Sequence, residues 1–95
     1  MKTIIIFGNT LERAINKLEE VKTIFQKAGI DIVRAKKNSN GQLFEFSNGE
    51  KWVALFANKA ATLGRRYDTV YVDPDITDPE ILMHIHASIK NSLKF

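Results

Sequence analysis

The chain has 95 residues, 14 Lys and Arg against 11 Asp and Glu, no cysteine, and 44% hydrophobic residues. This length suits a single domain over residues 1–95, and the Ile, Leu, Val and Phe content argues against a disordered chain. Without cysteine, a disulfide scaffold and a cysteine-based zinc module are excluded. The net charge of +3 is too small to declare a nucleic-acid binder.

Thr3 to Phe7 reads as a strand whose apolar residues, Ile4-Ile5-Ile6-Phe7, are continuous, the pattern of burial on both faces in the middle of a parallel sheet. The apolar run stops at Gly8 before a charged helix, which does not fit a signal peptide. With no run of ~20 apolar residues, a cytoplasmic protein that does not enter a membrane is expected. Asn9 reads as a helix N-cap, with Glu12 as its capping-box partner. Leu11, Ala14, Ile15, Leu18, Val21, Phe25 and Ala28 recur at spacings of three and four, which predicts an amphipathic helix over about 10–28. Gly29 is placed to end it in the left-handed conformation.

A second strand is expected at about 31–36, with Ile30, Ile32 and Arg34 as the residues of one side. Asn38-Ser39-Asn40-Gly41 is a turn cluster. The segments 42–46 and 51–56 then form a hairpin. Its turn is Asn48-Gly49, a pair that favours type I′. Residues 58–63 suggest a short helix ending at Gly64. Another strand is expected at about 68–72. Thr77, Pro79 and Glu80 resemble a helix start, and Leu82, Ile85, Ile89 and Leu93 extend that helix over about 78–93. The expected fold class is α/β: a small, mostly parallel, Rossmann-like sheet with a hairpin at 42–56 and two main helices.

In open parallel sheets, ligands bind beyond the carboxyl ends of the strands. Gly8, Asn9 and Thr10 follow the first strand. If the late strand is its neighbour, they share an edge with Asp73 and Asp75. Free N–H groups at the helix start would then suit a phosphate, and Asp73 with Asp75 would suit Mg²⁺ if a nucleotide binds. In the plain structural alternative, Asn9 only caps a helix and Asp73 only ends a strand. His84 and His86, two apart on a helix, point to different faces and do not make a ligand pair. No serine sits in a nucleophile-elbow context.

Charge is unevenly divided. Residues 31–66 hold seven basic and three acidic side chains, whereas 67–95 hold two basic and five acidic ones. Lys36, Lys37, Lys51, Trp52, Arg65 and Arg66 are therefore candidates for contact with nucleic acid or a protein partner, through phosphate pairing and stacking. The alternative for the aromatic residues of the hairpin is a role in the core.

Gly64-Arg65-Arg66-Tyr67-Asp68-Thr69-Val70-Tyr71-Val72-Asp73 resembles the Walker B region of helicase and phage-terminase ATPase cores. In those families a Gly/Arg loop leads into an apolar strand ending in Asp. Phe44-Glu45-Phe46-Ser47-Asn48-Gly49 resembles the hairpin before that strand in terminase large subunits, and Phe7-Gly8-Asn9-Thr10 occupies the place of the P-loop. The departures are specific. Gly8 is alone, no Lys follows until Lys17, and Pro74 stands after Asp73 where the family has a catalytic Glu. The resemblance therefore implies a degenerate core without NTP hydrolysis. It would serve as a phage or mobile-element accessory protein that binds a protein partner or nucleic acid. The alternative function is binding of a nucleotide or phosphometabolite through Asn9, Thr10 and Asp73.

Overall fold

A computed structural model describes residues 2–57, 67–87 and 89–94. Among the described residues, six strands form one sheet: β1 (Lys2–Gly8), β2 (Ile32–Asn38), β3 (Gly41–Phe46), β4 (Glu50–Phe56), β5 (Tyr67–Val72) and β6 (Ile89–Lys94). Their spatial order is β2-β3-β4-β1-β5-β6. Helix α1 (Leu11–Lys27) packs on one face, and helix α2 (Pro79–Ala87) packs on the other. The expected short helix at 58–63 and the candidate residues Arg65 and Arg66 lie outside the described residues.

The sheet is mixed rather than mostly parallel. β1 runs parallel to β4 and β5, and β5 runs parallel to β6. β2-β3-β4 is an antiparallel meander. Short loops cause this, because antiparallel strands need only a tight turn whereas parallel neighbours need a crossover.

β1 is central, and Ile4 to Phe7 are all at most 2% exposed, as a continuous apolar run requires. Alternation divides them. Ile4 and Ile6 lie under α1 with Phe44, Phe46, Trp52, Ala54, Ala14 and Leu18. Ile5 and Phe7 face Ile76 and Ile85 with Leu55, Val70 and Val72. Fully burying each large apolar side chain contributes about 1.5–3 kcal/mol. Phe25 sets its edge against Phe46 and Trp52, with centroids 4.7 and 5.7 Å apart.

Helix α1 begins one residue later than expected. Thr10, not Asn9, is the N-cap, and its Oγ1 accepts the N–H of Arg13 at 3.2 Å. The other end is as expected. Gly29 has φ +80°, the N–H of Ile30 donates to the carbonyl of Phe25, and that of Gly29 donates to Gln26. These two bonds are the Schellman pattern.

Three further expectations need correction. Among non-glycine residues described, none has positive φ, so Asn48-Gly49 is not a type I′ turn. The connection is the three-residue loop Ser47-Asn48-Gly49, with Gly49 at φ +87°, the alternative hairpin geometry that needs only one left-handed residue. In β2 the register slips between Ile32 and Arg34, so Arg34 pairs with Glu45 and does not share the side of Ile32. Finally, α2 stops at Ala87, and residues 89–94 form β6 instead of two more helical turns. The unpaired edge of β5 offers a ladder of backbone bonds to β6, and this tertiary pairing outweighs the helical spacing of Ile89 and Leu93.

Candidate functional site

Phe7 and Val72 are paired in register, so β1 and β5 end side by side. The ladder continues one step, with the N–H of Asp73 donating to the carbonyl of Phe7 at 2.9 Å. From β1 the chain leaves for β2-β3-β4 on one side and later returns to β5 and β6 on the other. This edge is thus the place where the strand order reverses and where open α/β sheets form crevices. Gly8, Asn9, Thr10, Asp73 and Asp75 all lie there.

Asp73 opens a tight turn. Its carbonyl accepts the N–H of Ile76 at 3.0 Å, with Pro74 at the second position where a fixed φ suits the bend. Its own carboxylate folds back to accept the N–H of Asp75 at 3.0 Å. Across the edge, the N–H of Asn9 donates to the other oxygen at 3.0 Å. The remaining acceptor positions are filled by Arg13. Nε donates to Oδ2 at 2.5 Å and Nη2 to Oδ1 at 2.8 Å. Arg13 Nη1 also lies 3.3 Å from Asp75 Oδ2.

Asp73 is 0% exposed yet ionised. The hydrogen bonds from Arg13 hold its carboxyl at a pKa of about 2, against the opposing effect of burial, and the N–H groups of Asn9 and Asp75 assist. The Arg13 guanidinium is correspondingly raised by the same bond. A fork-to-fork pair of this kind fixes orientation as well as charge.

Gly8 allows the approach. A Cβ there would meet the carbonyl oxygen of Thr10 at 2.4 Å and the amide nitrogen of Ala14 at 2.6 Å. Only a residue without a side chain lets α1 start this close to β1, and that closeness brings Arg13 over Asp73.

The expected phosphate, metal and capping residues are therefore neighbours, but their groups are engaged with each other. The Asn9 N–H is given to Asp73, Thr10 caps α1, and Asp73 accepts from four donors. Among the described residues, no three His, Asp or Glu side chains are placed to hold a metal ion. The lone Gly8, the Arg13 fork on Asp73 and the missing loop lysine do not fit a Mg²⁺-nucleotide.

The basic residues separate. Arg34, Lys36 and Lys51 stand on the face opposite α1, where Arg34 is 3.6 Å from Glu45. Lys37 pairs with Gln42 and belongs to the α1 side. Trp52 is 6% exposed, stacked with Tyr71 at 5.6 Å, and its Nε1 donates to Glu50 at 3.0 Å.

Arg13 is the site residue that sequence reading missed. A cation in the first turn of a helix opposes the helix dipole, and that misplacement was the available signal of an acidic partner.

No family model matches the chain, and no curated protein does. Its fold is similar to that of the large terminase of a thermophilic bacteriophage. The structure of that terminase in complex with ADP matches with a TM-score of 0.66 and 12% identity, over 98% of this chain and 25% of the terminase. Two other structures of it give 0.64 at 12% identity and 0.62 at 13%, again over 98% of this chain and over 26% and 24% of theirs. The chain spans about a quarter of the terminase's length. At this identity the likeness establishes the fold, an α/β domain that part of a phage terminase shares.

Proposed function

We propose that this chain is a small non-enzymatic binding domain, an accessory of phage or mobile-element type, that contacts nucleic acid. The observation that carries the reading is the Arg13–Asp73 fork. At the sheet edge where such folds hold a ligand, the chain supplies its own cation and its own anion. A strand-end aspartate whose lone pairs are all engaged has none to offer a metal.

The contact surface is the face of β2-β3-β4 away from α1. Arg34 and Lys36 are exposed there, and Lys51 is half-buried beside them. Arg34, Lys36 and Lys51 share this antiparallel face with one acid, Glu45, 3.6 Å from Arg34, and the positive balance that remains suits backbone phosphates.

The test is fluorescence anisotropy with labelled single- and double-stranded oligonucleotides at two salt concentrations. Binding should weaken with salt, with a logarithmic slope of roughly −2 to −3 for three phosphate contacts. Lys36→Glu with Lys51→Glu should abolish it. Parallel incubation with ATP and Mg²⁺ should release no phosphate. Absence of binding at low salt would turn the reading to a protein partner, and measurable ATP turnover would overturn its non-enzymatic half.

A further inference from the structure

We infer that Asn48 is a site of spontaneous covalent modification: its side chain closes onto the backbone nitrogen of Gly49, loses ammonia, and yields aspartate and isoaspartate. The pair Asn-Gly occurs twice in the chain, at Asn40-Gly41 and at Asn48-Gly49. A glycine after asparagine leaves the backbone nitrogen open to approach, because no side chain stands beside it. The sequence therefore marks both pairs alike, and their surroundings separate them.

In the reaction, the Gly49 nitrogen attacks Cγ of Asn48. A new C–N bond forms, the bond from Cγ to Nδ2 breaks, and the proton of the glycine nitrogen departs with the side-chain amide as ammonia. Water then opens the cyclic imide at either carbonyl. One product is aspartate, and the other is isoaspartate, whose backbone runs through Cβ. The β3–β4 loop favours ring closure. Asn48 and Gly49 are both exposed, and a Cβ on Gly49 would meet nothing within 4 Å, so the ring has room to form. The Oδ1 of Asn48 accepts the N–H of Glu50 at 3.0 Å. That contact carries the side-chain amide forward past Gly49. It also sets a donor on the oxygen where negative charge develops during attack. Closure breaks the loop bond from the N–H of Gly49 to the carbonyl of Phe46. Gly41 stands differently. It is buried as the first residue of β3, paired with Asn38 on one side and Leu55 on the other. A Cβ there would run into the carbonyl oxygen of Ala54. Ring closure at Asn40 would have to pull Gly41 away from both neighbouring strands.

The chain held in mildly alkaline buffer and then cleaved after glutamate tests this, because a cut at Glu45 separates Asn40 from Asn48. Mass spectrometry should show the Asn48 fragment converting to its acid form as two isomers separable by chromatography. Asn40 should lag about tenfold, the effect of about 1.4 kcal/mol on a barrier. In guanidinium, where the chain is unfolded, the two asparagines should convert at similar rates. Asn48→Asp should remove the mass change from its own fragment and leave Asn40 as slow as before. No conversion of Asn48, equal rates in the folded chain, or a lag of Asn40 that persists in guanidinium would overturn the inference. Aspartate as the sole product would overturn it too, since direct hydrolysis of the side chain gives no isoaspartate.

Discussion

Arg13 and Asp73 are 60 residues apart in the chain, and their side chains meet in two parallel N–H···O bonds. The pair ties the first turn of α1 to the end of β5. Arg13 remains partly open to solvent, with 44% of its side chain accessible, while Asp73 is wholly enclosed. Loss of the arginine therefore strands the acid more than loss of the acid strands the arginine.

Arg13→Ala should lower the melting temperature and raise the pKa of Asp73, because burial then acts on the carboxylate with only two N–H donors left. Arg13→Lys should recover only part of the loss, since an ammonium cannot present the planar fork. Thermal melts and a carbon-detected NMR titration of the Asp73 carboxyl would check both, and a Lys variant equal to wild type would remove the fork from the account.

Stability should fall in acid through Asp73. Its folded pKa of about 2 lies below the ordinary 3.8. The unfolded chain therefore takes up the proton first as pH drops. The contribution is fully present above the unfolded pKa and is lost as pH falls from about 4 through 2. Urea midpoints measured between neutral pH and pH 2 should show this limb. Asp73→Asn should be less stable at neutral pH and should flatten it.

Gly8→Ala should destabilise the fold by about 1–3 kcal/mol, the usual cost of overfilling a packed site. The added carbon would press on the backbone of Thr10 and Ala14 rather than on a side chain that can rotate away. Urea unfolding measures the loss. An unchanged midpoint would mean that α1 can shift outward freely.

Phe46→Ala should cost about 3–5 kcal/mol. The ring is 2% exposed and meets the edges of Phe25 and Phe44. That is a large share of the 5–15 kcal/mol that holds a typical domain together. Chemical denaturation should detect either a greatly lowered midpoint or a chain already unfolded.

Local chemistry made much of this fold readable. Ile4–Phe7 announces a central strand because burial on both faces leaves no polar position. Gly29 announces the end of α1 because the left-handed turn there favours glycine. The features that were not legible depend on distant partners. Ile89 and Leu93 keep helical spacing, and only the open edge of β5 draws them into a strand. Asn9 and Thr10 are both good caps, and it is Thr10 whose Oγ1 accepts the N–H of Arg13. The site followed the same division. Its edge could be located from strand ends, but the engagement of Asp73 by Arg13 needed the two ends of the chain in contact.

The slip in β2 has a consequence for the whole basic surface. Side chains alternate along a strand, so one extra residue exchanges the faces of everything beyond it. Counting on from Ile32 without the slip, Arg34 and Lys36 would fall on the α1 side and Ala35 and Lys37 on the open side. The irregularity between Ile32 and Arg34 reverses this. The extra residue at Val33 thus lets Ile32 stay under α1 while Arg34 and Lys36 stay beside Lys51 on the open face. Deleting Val33 would make Ile32 and Arg34 ordinary alternating neighbours and leave Arg34 opposite Glu45, with the basic face intact.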